Sequence, residues 1–288
     1  MLYSKKYKDI EIVINTRGAE QESFIYKGFD YMRKRDDFWN RKAPVLFPIV
    51  GKLRDLKTYI DSNVYMMNQH GFARDKEFTL FNEDENSIEF VLKYDEETLK
   101  MYPYKFNLFI KYEIKDMEVN VYYNVKNVDD NPIFFNIGAH PGFKLPLNEG
   151  NETFEDYSII FEEEENFDAP SVESNGTLNF DITTPFRNIK KIDLNYKYFV
   201  IDAIVLPHLK SRYVDLVNKD NKGIRFSFYG LNSFAIWTRP NAPFVCLEPW
   251  QGYADKYNSD YNFKNKDDIV KLDKNDEYKA GYSIHILN

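Results

Sequence analysis

Ile110, Tyr112 and Ile114, then Val119, Val121, Tyr123 and Val125 beyond Lys115-Asp116, form two alternating runs around a turn. Apolar side chains at every second position put one face of each run in a core and leave the other to water. This is a β-hairpin, and much of the chain repeats its pattern. Ile88, Phe90, Leu92 and Tyr94 alternate with Glu89, Val91 and Lys93, and Ile224, Phe226 and Phe228 with Arg225, Ser227 and Tyr229. The terminal run places Tyr278, Ala280, Tyr282, Ile284 and Ile286 on one face. Residues 10–14 and 24–26, punctuated by Gly18 and Gly28, add a strand pair or meander, and 234–237 and 244–247 add two more strands. No window of eleven residues keeps a 3.6 period with caps. Helix is therefore expected only as a single turn over 36–42, closed by Pro44, and a short segment over 95–101, stopped before Pro103. The expectation is an all-β chain, one domain over 1–288, with large antiparallel sheets and few short helices.

The 24 Phe and 22 Tyr supply a large core. A formal charge of −8 excludes the basic footprint of a nucleic-acid binder and fits a small-molecule ligand. Cys246 is the one cysteine, so neither an intrachain disulfide nor a cysteine metal cluster can form. Residues 1–8 lack the apolar segment of a secretory signal, and no later run is long enough to span a bilayer, which points to the cytoplasm and to no membrane partner. Without a secretory route, the glycosylation-like triplets at Asn151 and Asn175 are chance matches. The acidic run 162–165 reads as a solvated loop or strand end.

Chemistry concentrates elsewhere. Residues 133–137 read as a buried strand that breaks into Gly138-Ala139-His140-Pro141-Gly142, which holds a histidine at a strand end. Gln69-His70-Gly71-Phe72 offers a second turn histidine, and Val245-Cys246-Leu247-Glu248-Pro249-Trp250 a carboxylate in an apolar setting. Residues 44–53 contain two prolines and one glycine yet are strongly apolar, the mark of a buried irregular loop and a candidate cleft wall. Asp202 sits in an apolar string over 199–206, where a carboxylate needs a partner or a cleft.

Three chemistries are open to His70, His140, Asp202 and Glu248. A metal held by two histidines and a carboxylate lacks the His-x-His pair that small β-barrel sites use. Sugar-bond hydrolysis by Asp202 and Glu248 leaves both histidines without a task. Proton transfer at a sugar hemiacetal uses all four: a base for the C1 hydroxyl, an acid for the ring oxygen, and two anchors for hydroxyls. Trp237, Trp250 or Phe72 would pack on the sugar's apolar face.

The ordered set Ala43–Leu53, Gln69–Arg74, Asn136–Phe143 and Cys246–Trp250, with a weaker match at 202–206 followed by Ser211-Arg212, resembles the aldose 1-epimerase (galactose mutarotase) superfamily, and more closely its LacX-like branch. The resemblance implies a galactose-mutarotase-like β-supersandwich with no cofactor and no metal. It implies Glu248 as catalytic base and His140 as catalytic acid. His70 matches the second active-site histidine and Asp202 the hydroxyl-binding aspartate, while Arg74 and Lys52 fall at cationic substrate contacts. The histidine that follows this aspartate in galactose mutarotases is missing here, so galactose itself is not specified. The expected activity is interconversion of the α and β anomers of a hexose by a monomer or homodimer. Its alternatives are a hexose-6-phosphate mutarotase, with Arg41, Lys52, Arg74 and Arg239 as candidate phosphate partners, and a non-catalytic carbohydrate-binding protein. His208 reads as a loop residue, His285 as an exposed strand residue and Cys246 as a small core side chain.

Overall fold

In the computed structural model, which describes residues 1–148 and 150–288, the alternating runs become antiparallel strands. The hairpin pairs Phe106–Lys115 with Glu118–Asn127 without a break, from Phe106 opposite Asn127 to Lys115 opposite Glu118. It lies inside a nine-stranded sheet with Thr79–Glu83 and Ser87–Lys93 on one side and Glu277–Leu287, Gly223–Tyr229, Tyr213–Asn218, Tyr157–Val172 and Leu178–Asp193 on the other. A four-stranded meander, Leu2–Tyr7, Ile10–Asn15, Glu20–Tyr26 and Phe29–Asp30, adds Ile10, Ile12, Ile14 and Phe24 to the same core. The short helix forms at Glu96–Met101, where Asp95 and Thr98 make reciprocal capping bonds. Among the described residues no helix is long and apolar enough to cross a membrane.

The sheet that matters for function has six strands. Ile204–Leu206, Ser233–Trp237, Phe244–Gln251, Ile137–Ala139 and Val45–Leu46 run in that order, and Gly142–Lys144 also pairs with Phe244–Gln251. Both of its faces are covered, so Phe244–Gln251 is buried at seven consecutive positions. Val245 and Leu247 turn toward the nine-stranded sheet and join the main core. Across that interface Phe228 stacks on Phe234 at 5.2 Å and Phe143 meets Phe226 at 5.9 Å. Each such ring pair adds about 1 kcal/mol beyond its buried area. The alternate positions Cys246, Glu248 and Trp250 must then occupy the opposite face.

Four local expectations are corrected. The run 133–137 is two strands rather than one, split at Asn136. The amide of this fully buried residue needs partners outside a ladder: its backbone N–H donates to Pro48 O (2.9 Å) and its side chain to Asp268 O (3.3 Å). Residues 36–42 make no helical turn, because the Asp36 carboxylate accepts from the N–H groups of Phe38 and Trp39 and holds an open loop. The acidic run 162–165 lies inside the strand Tyr157–Val172, and Glu165 is buried, accepting from the N–H and the hydroxyl of Ser211 at 2.7 and 2.6 Å. In the string 199–206, Val200 and Ile201 are 72% and 78% exposed, and only Ile204–Leu206 is strand.

Candidate active site

Strand pairing alone brings two of the chemically interesting side chains face to face. Gly138 lies opposite Trp250 and Gly142 opposite Cys246 on the same strand, so His140, midway between them, falls opposite Glu248. Pro141 interrupts the ladder here, though its carbonyl still accepts from Leu247 N (3.1 Å). The interruption frees the His140 ring from the sheet, and its Nε2 comes to 3.1 Å from Glu248 Oε2. Both residues line a cavity of about 420 Å³.

His70 reaches the same cavity from the far side. Its loop is clipped to the irregular segment 44–53, of which every residue but Lys52 is buried. Phe47 O accepts from the N–H groups of Phe72 and Ala73, and Gly51 O accepts from His70 N at 2.7 Å. A Cβ on Gly71 would sit 2.2 Å from Phe47 O, so only glycine allows this approach. His70 itself has φ of 67°, an uncommon value for a non-glycine residue. In return Gly51 N donates to His70 Nδ1 (3.1 Å). Because Nδ1 is the acceptor, the neutral ring carries its proton on Nε2. The His70 and His140 rings meet edge to face at 5.6 Å.

Charge is scarce at this pair. Burial, followed by the positive charge of Arg74, pushes His140 down to about 3, and burial, followed by His140, holds His70 well below its ordinary 6.5. Burial, then the Asp202 carboxylate, pushes Glu248 well above its ordinary 4.5. Asp202 is itself raised by burial, against the pull of the Ala203 N–H, Lys52 and Arg239. Both shifts favour the uncharged forms of the pair, a carboxylic acid and an imidazole. A carboxylic acid with an imidazole holds the same number of protons as a carboxylate with an imidazolium, and the two side chains approach to 3.1 Å.

Of the ten buried side-chain polar atoms without a hydrogen-bond partner among the described residues, Arg74 Nε, His140 Nδ1, Glu248 Oε2 and Trp250 Nε1 belong to residues lining this cavity. Orphaned polar atoms gathered in one cavity mark a place for a polar ligand.

The cavity gathers six of the seven residues expected from sequence: His70, Arg74, His140, Asp202, Trp237 and Glu248. Lys52 lines the adjoining cavity instead, joined to the first through Gln69 and Arg74. Arg41 also lines that second cavity, and Arg239 the first. Phe72 packs into the core against Phe47 and does not line the cavity. His208 lies in a loop and His285 on a strand, both away from the cavity. Trp39 is the residue that sequence reasoning missed: it stacks on His140 at 4.6 Å and 29°. A lone tryptophan in a polar stretch gives no signal of this. One donor atom each of His140, Cys246 and Glu248 lies within 4.8 Å of the others. Burial pushes the Cys246 thiol well up, which keeps it in the weakly ligating protonated form.

A family model described as aldose 1-epimerase matches residues 2–285. The chromosomal Protein LacX of Lactococcus lactis subsp. lactis is 36% identical over 300 residues, covering 100% of each chain. The structure of a galactose mutarotase related enzyme from Lactobacillus acidophilus superposes with a TM-score of 0.93 at 29% identity, over 100% of this chain and 98% of the other. A galactose mutarotase-like protein from Lactobacillus casei shares the fold, with a TM-score of 0.90 at 24% identity over 100% of both chains.

Proposed function

The chain belongs to the aldose 1-epimerase family, and from that premise we propose that it interconverts the α and β anomers of an aldose through Glu248 and His140. It is an isomerase-type enzyme of the sugar epimerase or mutarotase kind. The observation that carries the assignment of residues is the 3.1 Å contact between His140 Nε2 and Glu248 Oε2 at a cavity large enough for a pyranose.

Substrate oxygens entering the cavity solvate the pair and favour its ionic form, in which Glu248 is a carboxylate and His140 an imidazolium. Glu248 takes the proton of the C1 hydroxyl while His140 gives its proton to the ring oxygen. The bond between C1 and the ring oxygen breaks, and an aldehyde forms at C1. The pair is then back in its neutral form, with no net gain or loss of protons. Rotation about the C1–C2 bond presents the other face, and closure runs the same transfers backward. His70 Nε2–H donates to a sugar oxygen, Asp202 accepts from hydroxyls, and Trp250 Nε1–H is a further donor. Trp237, edge-on to His140 at 5.4 Å, offers an apolar wall. The uncatalysed reaction already proceeds in water, so positioned acid and base groups suffice without a cofactor.

Polarimetry or exchange NMR on freshly dissolved α-D-glucose and α-D-galactose tests the reading. Exchange above the spontaneous rate that disappears in Glu248→Gln and His140→Asn supports it, and undiminished exchange in either variant removes that residue from the mechanism. A phosphorylated aldose is a second reading, favoured by one observation: Arg41, Lys52 and Arg74 line the adjoining cavity, and Arg74 Nε has no hydrogen-bond partner. Comparing exchange rates of a hexose and its 6-phosphate separates the two substrates.

A further inference from the structure

Arg33 is the largest of the fully buried side chains, at 1% exposure, and it lies outside the cavity. Its guanidinium donates to the carbonyl of Trp39, to that of Arg41 (2.8 Å), and to the Asp36 carboxylate (2.5 Å). All three acceptors lie on the loop 36–41, which has no regular structure of its own. The same guanidinium lies over the rings of Phe244 (4.1 Å) and Trp39 (5.2 Å). Its backbone N–H donates to Gly142 O (3.0 Å), just beyond the His140 turn, and a Cβ on Gly142 would come within 2.8 Å of the Arg33 side chain. The guanidinium thus holds the loop, while the Arg33 backbone holds the strand that follows His140. Burying a guanidinium is costly, and its presence here needs a reason beyond filling space.

We propose that Arg33 is a positioning residue for the anomer-exchange reaction: it seats the loop 36–41 so that the Trp39 indole covers the His140 ring. The inference rests on His140 being a proton-transfer group. Trp39 is the side chain that lies flat on His140, and it also packs edge-on to Trp237 at 5.4 Å. With that indole in place the imidazole is shielded from water and its orientation toward Glu248 is fixed. Lysine keeps the charge of Arg33 but lacks the fork that reaches two carbonyls and a carboxylate together, and it cannot stack as a plane. The other charged or titratable groups around His140 are Glu248, Cys246, His70, Arg74 and Arg41, and Arg33→Lys leaves all of them in place.

The test is a double-mutant cycle of Arg33→Lys with Trp39→Ala, read as kcat/KM for anomer exchange and as acrylamide quenching of tryptophan emission. Arg33→Lys is expected to lower kcat/KM by about 10- to 100-fold, the scale of a misplacement of about 1 Å. It should also open Trp39 to the quencher. In the Trp39→Ala background the same substitution should change kcat/KM by less than about twofold, since coupled residues are non-additive. Asp36→Asn, at a partly exposed partner, should move both readouts the same way by less, and serves if Arg33→Lys does not fold. An equal loss from Arg33→Lys with and without Trp39, or quenching unchanged in a folded Arg33→Lys protein, overturns the proposal. If the wild type exchanges no anomers, the catalytic reading fails on its own, and the quenching result still decides whether Arg33 seats Trp39.

Discussion

Replacing Glu248 with glutamine should make the protein more stable at neutral pH while making it nearly inactive. Burial, followed by the Asp202 charge, holds the folded carboxyl well above 4.5. Between that ordinary value and the raised one, the folded chain keeps a proton that the unfolded chain releases. This residue therefore reduces stability as pH rises through the window, by at most about 1.4 kcal/mol per pH unit. From 4.5 to pH 7 the penalty stays below about 4 kcal/mol. Glutamine has nearly the same shape and does not titrate, so the variant escapes the penalty. Loss of the general base should meanwhile slow exchange by about a hundred- to ten-thousandfold. Urea unfolding of both proteins at pH 5 and pH 8 measures the first effect and exchange NMR the second. The stability difference should widen in favour of the variant on going from pH 5 to pH 8. A difference that is constant with pH would refute the buried neutral carboxyl, and with it the one-proton pair.

His140 should act in the opposite sense. Its folded value of about 3 lies below the ordinary 6.5, so the unfolded chain takes up the proton first and stability falls as pH drops from 6.5 toward 3. His140→Asn should flatten that slope in acid unfolding curves, and an unchanged slope contradicts the burial argument. Gly71→Ala, with a Cβ 2.2 Å from Phe47 O at φ of 70°, should cost more than about 1 kcal/mol in thermal unfolding; a neutral result would mean that the loop yields. Lys266→Met should cost about 3–5 kcal/mol, because it leaves Asp255, paired at 2.5 Å with both side chains under 5% exposed, as a lone buried charge. A cost below about 1 kcal/mol would mean that water reaches Asp255.

Period-2 alternation made the hairpin 106–127, the strand 277–287 and the all-β class legible, because a residue's face in a strand depends only on parity. The site's two ends were legible too: a histidine in a glycine- and proline-rich break, and a glutamate on an apolar strand. Parity could not say that His140 and Glu248 face each other, since that depends on the pairing of strands more than a hundred residues apart. Trp39 stayed hidden because its place depends on Arg33 and Asp36, a tertiary tie that outweighs the local helical look of 36–42. The burial of Glu165 is not legible in the sequence because the Ser211 groups that satisfy it lie on a distant loop. Asn136 sits inside an apolar run, yet its buried amide needs partners and ends the ladder there.

The most direct test of the account is the rate of anomer exchange measured by NMR for the wild-type protein across a panel of free and 6-phosphorylated aldoses. At least one member should exchange well above its spontaneous rate, with acceleration lost in Glu248→Gln and in His140→Asn. No acceleration for any member, with sugar binding intact, would contradict proton transfer by this pair.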